Sequence, residues 1–116
     1  MSNYRGLSIN IEVLEKMAAM AALETNGVVA MCPRKVDVTN ALSRGSVLKP
    51  VHAEIKNGAV VINLYISIAK TGNAKTIAEE TQAGVKEKVQ NMTGNAITKV
   101  NVYVMDAVEE PTSEEN

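Results

Sequence analysis

Residues 51–68 read Val51-His52-Ala53-Glu54-Ile55-Lys56-Asn57-Gly58-Ala59-Val60-Val61-Ile62-Asn63-Leu64-Tyr65-Ile66-Ser67-Ile68, and the alternation within this stretch decides the fold. Val51, Ala53 and Ile55 share one face of a strand, with His52 and Glu54 on the other. Asn57-Gly58 predicts a tight hairpin, because both residues tolerate the positive φ of a primed turn. In the returning strand Val60, Ile62, Leu64, Ile66 and Ile68 point one way, while Val61, Asn63, Tyr65 and Ser67 point the other. One face of the hairpin is built for a core and the other is not.

Two helical patterns flank the hairpin. Asn10 is placed to accept from the free amides of a first turn, with Ile9 and Leu14 as a staple across it and Glu12 at the positive end. Leu14, Met17, Ala18 and Ala21 then recur at helical spacing until Gly27 supplies the stop. Met20 and Leu23 carry the apolar surface further around this helix than one contact with a sheet requires. Val28 to Cys32 reads as a short strand that Pro33 ends by withholding an amide. After the hairpin, Thr71-Gly72-Asn73 leads into a second helix with Ala74, Ala78, Val85, Val89 and Met92 as its apolar or small positions, closed by Gly94. A last strand over 96–106 sets Val100, Val102 and Val104 against Lys99, Asn101 and Tyr103.

This order predicts an α+β two-layer sandwich, a mixed sheet of three to four strands with both helices packed on one face. It forms one domain over residues 1–108, interrupted by an irregular basic loop at 33–50 in which Val36 and Val38 suggest a strand fragment. Residues 109–116 read as a disordered acidic tail. The open sheet face is expected to display His52, Glu54, Asn63, Tyr65, Ser67, Lys99, Asn101 and Tyr103.

At 116 residues the chain can bury a sufficient core without staples. Its single cysteine, Cys32, has no internal disulfide partner, and with His52 as the one histidine a tetrahedral zinc site lacks ligands, so no metal and no cofactor is expected. Cys32 reads as a small buried thiol and His52 as a half-exposed strand residue, not as a catalytic pair. The longest unbroken apolar run, Met17 to Leu23, has seven residues where a bilayer helix needs about twenty. The first residues lack the pattern of a secretory signal, which predicts a cytoplasmic protein with no direct membrane insertion. Thr71-Gly72-Asn73-Ala74-Lys75-Thr76 follows a strand and opens a helix, but alanine stands at both 74 and 69 where a phosphate loop needs glycine, leaving Lys75 as a solvated first-turn residue.

Thirteen acids oppose twelve bases, yet five of the acids, Asp106, Glu109, Glu110, Glu114 and Glu115, crowd the C-terminus. The remaining body is mildly basic, with Arg34, Lys35, Arg44 and Lys49 clustered in the loop as candidate contacts for an anion or a partner. Nucleic-acid platforms carry more aromatics than Tyr65 and Tyr103, and no Gly-x-x-Gly clamp is present. What remains is surface, namely Met20 and Leu23 on the first helix and Tyr65 and Tyr103 on the open sheet, and surface of this kind belongs to an association module.

Glu12-Val13-Leu14-Glu15-Lys16-Met17-Ala18-Ala19-Met20-Ala21-Ala22-Leu23-Glu24-Thr25-Asn26-Gly27-Val28 resembles the opening signature of the alkaline shock protein family of envelope stress proteins. Asn57 to Tyr65 resembles that family's hairpin and long strand, and Val85 to Val104, with Met92-Thr93-Gly94 and Val100-Asn101-Val102, its closing helix and strand. Met31 to Pro50 departs from the pattern. The resemblance implies a bacterial, mostly Gram-positive, non-enzymatic protein of cell-envelope homeostasis that self-assembles into a homo-oligomer. It also implies peripheral placement at the inner face of the membrane through a small membrane-anchor protein. The alternative carried beside it is a small RNA- or DNA-binding module using the basic loop and the open sheet face.

Overall fold

In the computed structural model of the chain, residues 2–4, 7–35, 47–94 and 98–109 are described. Ten elements follow in order: β1 (Ser2–Tyr4), β2 (Leu7–Ile9), α1 (Ile11–Leu23), β3 (Val28–Met31), β4 (Arg34–Lys35), β5 (Val47–Leu48), β6 (Val51–Lys56), β7 (Ala59–Ala69), α2 (Ala74–Thr93) and β8 (Thr98–Val108). The antiparallel β1–β2 hairpin before α1 is an addition to the sequence reading. So is the antiparallel β4–β5 pair, with Arg34 opposite Leu48 and Lys35 opposite Val47. Val36, Val38 and the acidic tail at 110–116 lie outside the described residues.

The main sheet is organised around β7. On one side β8 pairs with it in parallel from Val60 to Ala69. On the other side two antiparallel strands lie end to end, β6 against Ala59–Leu64 and β3 against Ile66–Ile68. Tyr65 sits at their junction, where its amide donates to the Pro50 carbonyl (2.9 Å) and its carbonyl accepts from the Cys32 amide (2.8 Å). The chain leaves the main sheet after Cys32 and rejoins it at Pro50, both bonded to Tyr65, so hydrogen bonding along β7 is continuous there. The expected α+β sandwich with a mixed sheet is what forms, with β8 along one edge and β6 and β3 end to end along the other.

Local chemistry explains the boundaries. Asn10 caps α1 by accepting from the Glu12 amide (2.7 Å), and Asn73 caps α2 by accepting from the Thr76 amide (3.0 Å). Gly94 closes α2 with φ 77°, the left-handed conformation that glycine adopts without a Cβ penalty. Asn57 and Gly58 both hold positive φ, as the primed hairpin requires. The core is formed by Leu14, Ala18 and Ala22 of α1, Val85 and Val89 of α2, and Val60, Ile62 and Leu64 of β7. A second cluster joins Ile66 and Ile68 to Ile77.

Three expectations about packing need correction. Ala74 is exposed, and the buried stripe of α2 is Ile77, Thr81, Val85, Val89 and Thr93. The threonines serve there because each hydroxyl donates to the carbonyl four residues back, Thr81 to Ile77 (2.7 Å) and Thr93 to Val89 (2.9 Å), which leaves the methyl group to pack. Ser67, expected on the open face, is buried, a small side chain recessed between Ala30 and Asp106 on the flanking strands. Val104, expected in the core, is exposed, on the last rung before the β7–β8 register shift.

Candidate functional site

At about 100° per residue, Leu14, Glu15, Ala18 and Ala22 of α1 occupy one arc, which is the buried one. Val13, Met20 and Leu23 fall on the arc roughly opposite, and half-buried Met17 lies at the border beside buried Ala21. Met20 is 56% exposed and Leu23 48%, as the excess apolar width of the helix predicts. They form a stripe facing away from the sheet.

On the far side of the molecule the open sheet face carries a register of like residues. Ile62-Asn63-Leu64-Tyr65-Ile66 on β7 lies rung for rung against Val100-Asn101-Val102-Tyr103-Val104 on β8. The Tyr65 and Tyr103 rings stack with centroids 4.8 Å apart and planes 13° from parallel. Asn101 Nδ2 donates to Asn63 Oδ1 at 2.9 Å. Tyr65 is half-buried and Tyr103 is 44% exposed at the outer edge. Because side chains alternate across a strand, this face and the Met20–Leu23 stripe sit on opposite sides of the sandwich. The four residues form two surfaces rather than one site.

Of the four loop cations, Lys49 is the one whose side chain is described, and its Nζ lies 2.7 Å from Glu15 Oε1. Glu15 Oε2 accepts from the Ala53 amide at 3.0 Å. Burial pushes the Glu15 carboxyl up, but the Lys49 ammonium and the Ala53 amide outweigh it and hold the carboxyl below its ordinary range, with His52 adding to the pull. The Lys49 ammonium is raised in turn by the same hydrogen bond and charge. The positive charge of Lys49 is thus engaged within the fold. Arg34 and Lys35 contribute backbone to β4, and Arg44 lies outside the described residues.

Glu15 was not among the residues singled out from sequence, although its place between Leu14 and Ala18 was the available signal. An acid inside the buried arc of a helix requires a partner. Gln82 of α2, which no sequence pattern marks, donates its Nε2 hydrogen to the Val100 carbonyl at 2.7 Å. Glu15 and Gln82 each reach from a helix to one edge strand of the sheet. Cys32 is half-buried rather than buried, His52 is exposed, and Lys75 is exposed in the first turn of α2. Among the described residues no three His, Cys, Asp or Glu side chains converge to hold a metal ion, and no helix is long and apolar enough to cross a membrane.

A model of the alkaline shock protein 23 family, described as having a cell envelope-related function, matches residues 2–108. The Bacillus subtilis (strain 168) protein YloU is 26% identical over 106 residues, which covers 89% of this chain and 88% of YloU. Among solved structures, the copper form of the MamM CTD has a TM-score of 0.53 at 14% identity, covering 89% of this chain and 92% of that one. A nickel form of a variant of the same domain has a TM-score of 0.50 at 13% identity, covering 84% and 99%. At such identities the likeness concerns the fold alone.

Proposed function

The chain belongs to the alkaline shock protein 23 family, of cell envelope-related function, and from that premise we propose that it is a non-enzymatic scaffold of cell-envelope stress response and homeostasis. It associates with itself and docks to an envelope-side partner protein. The observation that carries this reading is the presence of two outward surfaces on opposite sides of one small domain, the Met20–Leu23 stripe and the Tyr65–Tyr103 face. Burying a side chain of this size contributes roughly 1.5–3 kcal/mol. A few such groups on each copy offset the cost of association, roughly 4–15 kcal/mol. Two opposed surfaces also let one be used for a second copy while the other holds a different protein.

The partner fitting this reading is a small membrane-anchor protein, which would hold the scaffold at the inner face of the membrane from the cytoplasm. The RNA- or DNA-binding alternative is less well supported. Stacking covers one face of each tyrosine with the other, which removes aromatic surface that bases would use. Lys49, one of the four loop cations, is already paired.

Sedimentation velocity across a concentration series tests the self-association, with Met20→Glu and Tyr65→Ala each expected to weaken it. A strict monomer at high concentration contradicts the reading. Crosslinked pull-down with membrane and soluble fractions kept apart tests the partner, which is expected in the membrane fraction.

A further inference from the structure

We propose that two copies of the chain join edge to edge through β8, antiparallel about a two-fold axis at Tyr103, making one continuous sheet. This rests on the reading of the chain as self-associating and names, apart from the Met20–Leu23 stripe, the edge through which a two-fold pair forms.

Both main-chain groups of Tyr65 face the β3 and β6 side, bonded to Cys32 and Pro50. Tyr103, its register partner on β8, therefore faces β7, while Val100, Val102 and Val104 turn their amides and carbonyls outward. Gln82 covers the outward carbonyl of Val100, much as Glu15 covers the outward amide of Ala53 on the opposite edge. Among the described residues nothing comparable covers Val102 or Val104, and from Tyr103 to Ala107 the strand is exposed. An uncovered edge of this kind is a template for another strand.

The pattern is self-complementary. With the axis at Tyr103, Val102 lies opposite Val104 of the second copy and Val104 opposite its Val102. Each such pair exchanges two hydrogen bonds, which uses all the outward groups of these residues. The two Tyr103 side chains meet across the axis and extend the Tyr65–Tyr103 stack into the second copy.

Charge selects the same arrangement. Lys99 and Asp106 stand opposite Val61 and Ser67, so they share the open face, and both are exposed near opposite ends of the strip. Antiparallel pairing brings each Lys99 diagonally toward Asp106 of the other copy, whereas parallel pairing in register aligns like charges. The register shift after Val104, which leaves Met105 without a partner on β7, ends the ladder and limits it to this short stretch.

The test is disulfide trapping in a Cys32→Ser background. At a non-hydrogen-bonded antiparallel pair the Cα atoms are about 4.5 Å apart, within disulfide range. Tyr103→Cys is therefore expected to form a covalent dimer under mild oxidation about tenfold more readily than Met20→Cys, because only the former is held at the axis. In the native cysteine background, Lys99→Asp and Asp106→Lys are each expected to weaken the dimer about five- to tenfold, and the double charge swap to restore it. Trapping at Met20→Cys in preference to Tyr103→Cys, with no rescue by the double swap, overturns the edge pairing while self-association stands. A wild-type chain that stays monomeric at every concentration overturns both.

Discussion

Glu15 shows how one side chain links a helix, a loop and a sheet edge. It is only 8% exposed, yet it remains ionised because Lys49 and the Ala53 amide each take one of its oxygens. Replacing it with alanine leaves the Ala53 amide without its acceptor on an edge strand, and we expect a loss of about 1–3 kcal/mol in urea unfolding. The pH dependence follows from the lowered carboxyl. A folded-state value below the unfolded one adds stability above the ordinary carboxylate range, and that stability is lost as pH falls through the folded value. The wild-type advantage over Glu15→Gln should accordingly be full at neutral pH and shrink in acid, as read by thermal unfolding at a series of pH values. Alternation and helical spacing say that position 15 is buried. They do not say which cation arrives, because Lys49 is brought there by a turn 34 residues further on.

At the scale of elements, α2 is seated by a wedge. Ile77 fits against Gly27 at the end of α1 and Gly72 before α2, where an added Cβ would stand 2.6 Å and 2.4 Å from its Cδ1. Gly27 additionally holds φ 100°, a conformation that side chains disfavour. Gly72→Ala is expected to destabilise by about 1–3 kcal/mol through overpacking, measured by chemical denaturation, and a smaller residue at 77, as in Ile77→Val, to recover part of the loss in the double variant. The alternation of β7 was legible because every second residue is large and apolar, and Val60, Ile62, Leu64 and Ile66 are all fully buried. The stripe of α2 was less legible. Two of its five members are threonines, whose burial depends on a hydroxyl bonding back to the helix, and no hydropathy pattern marks that.

For the whole molecule, the proposed self-association through outward surfaces predicts that stability and assembly respond to different substitutions. Met20→Glu changes a group that faces away from the core, so the monomer's unfolding free energy should move by no more than about 0.5 kcal/mol. Its concentration-dependent assembly should fall, a contrast read by pairing denaturation with sedimentation on the same variant. Leu64→Ala should show the reverse, losing about 2–5 kcal/mol of stability from a fully buried site. Family membership over residues 2–108 places this architecture in a cell envelope-related setting.

The hairpin at Asn57-Gly58, the cap at Asn10, the stop at Gly94, the inner face of β7 and the exposure of Met20 and Leu23 are legible in residue order alone. All of these are short-range consequences of backbone conformation and side-chain period. Long-range packing settles that β3 and β6 share one edge of β7, that Asn63 faces Asn101, and that Glu15 and Gln82 cover the two sheet edges at single points. Those facts depend on register between segments far apart in the chain, and register is settled by how whole faces pack together, not by the residues beside each position.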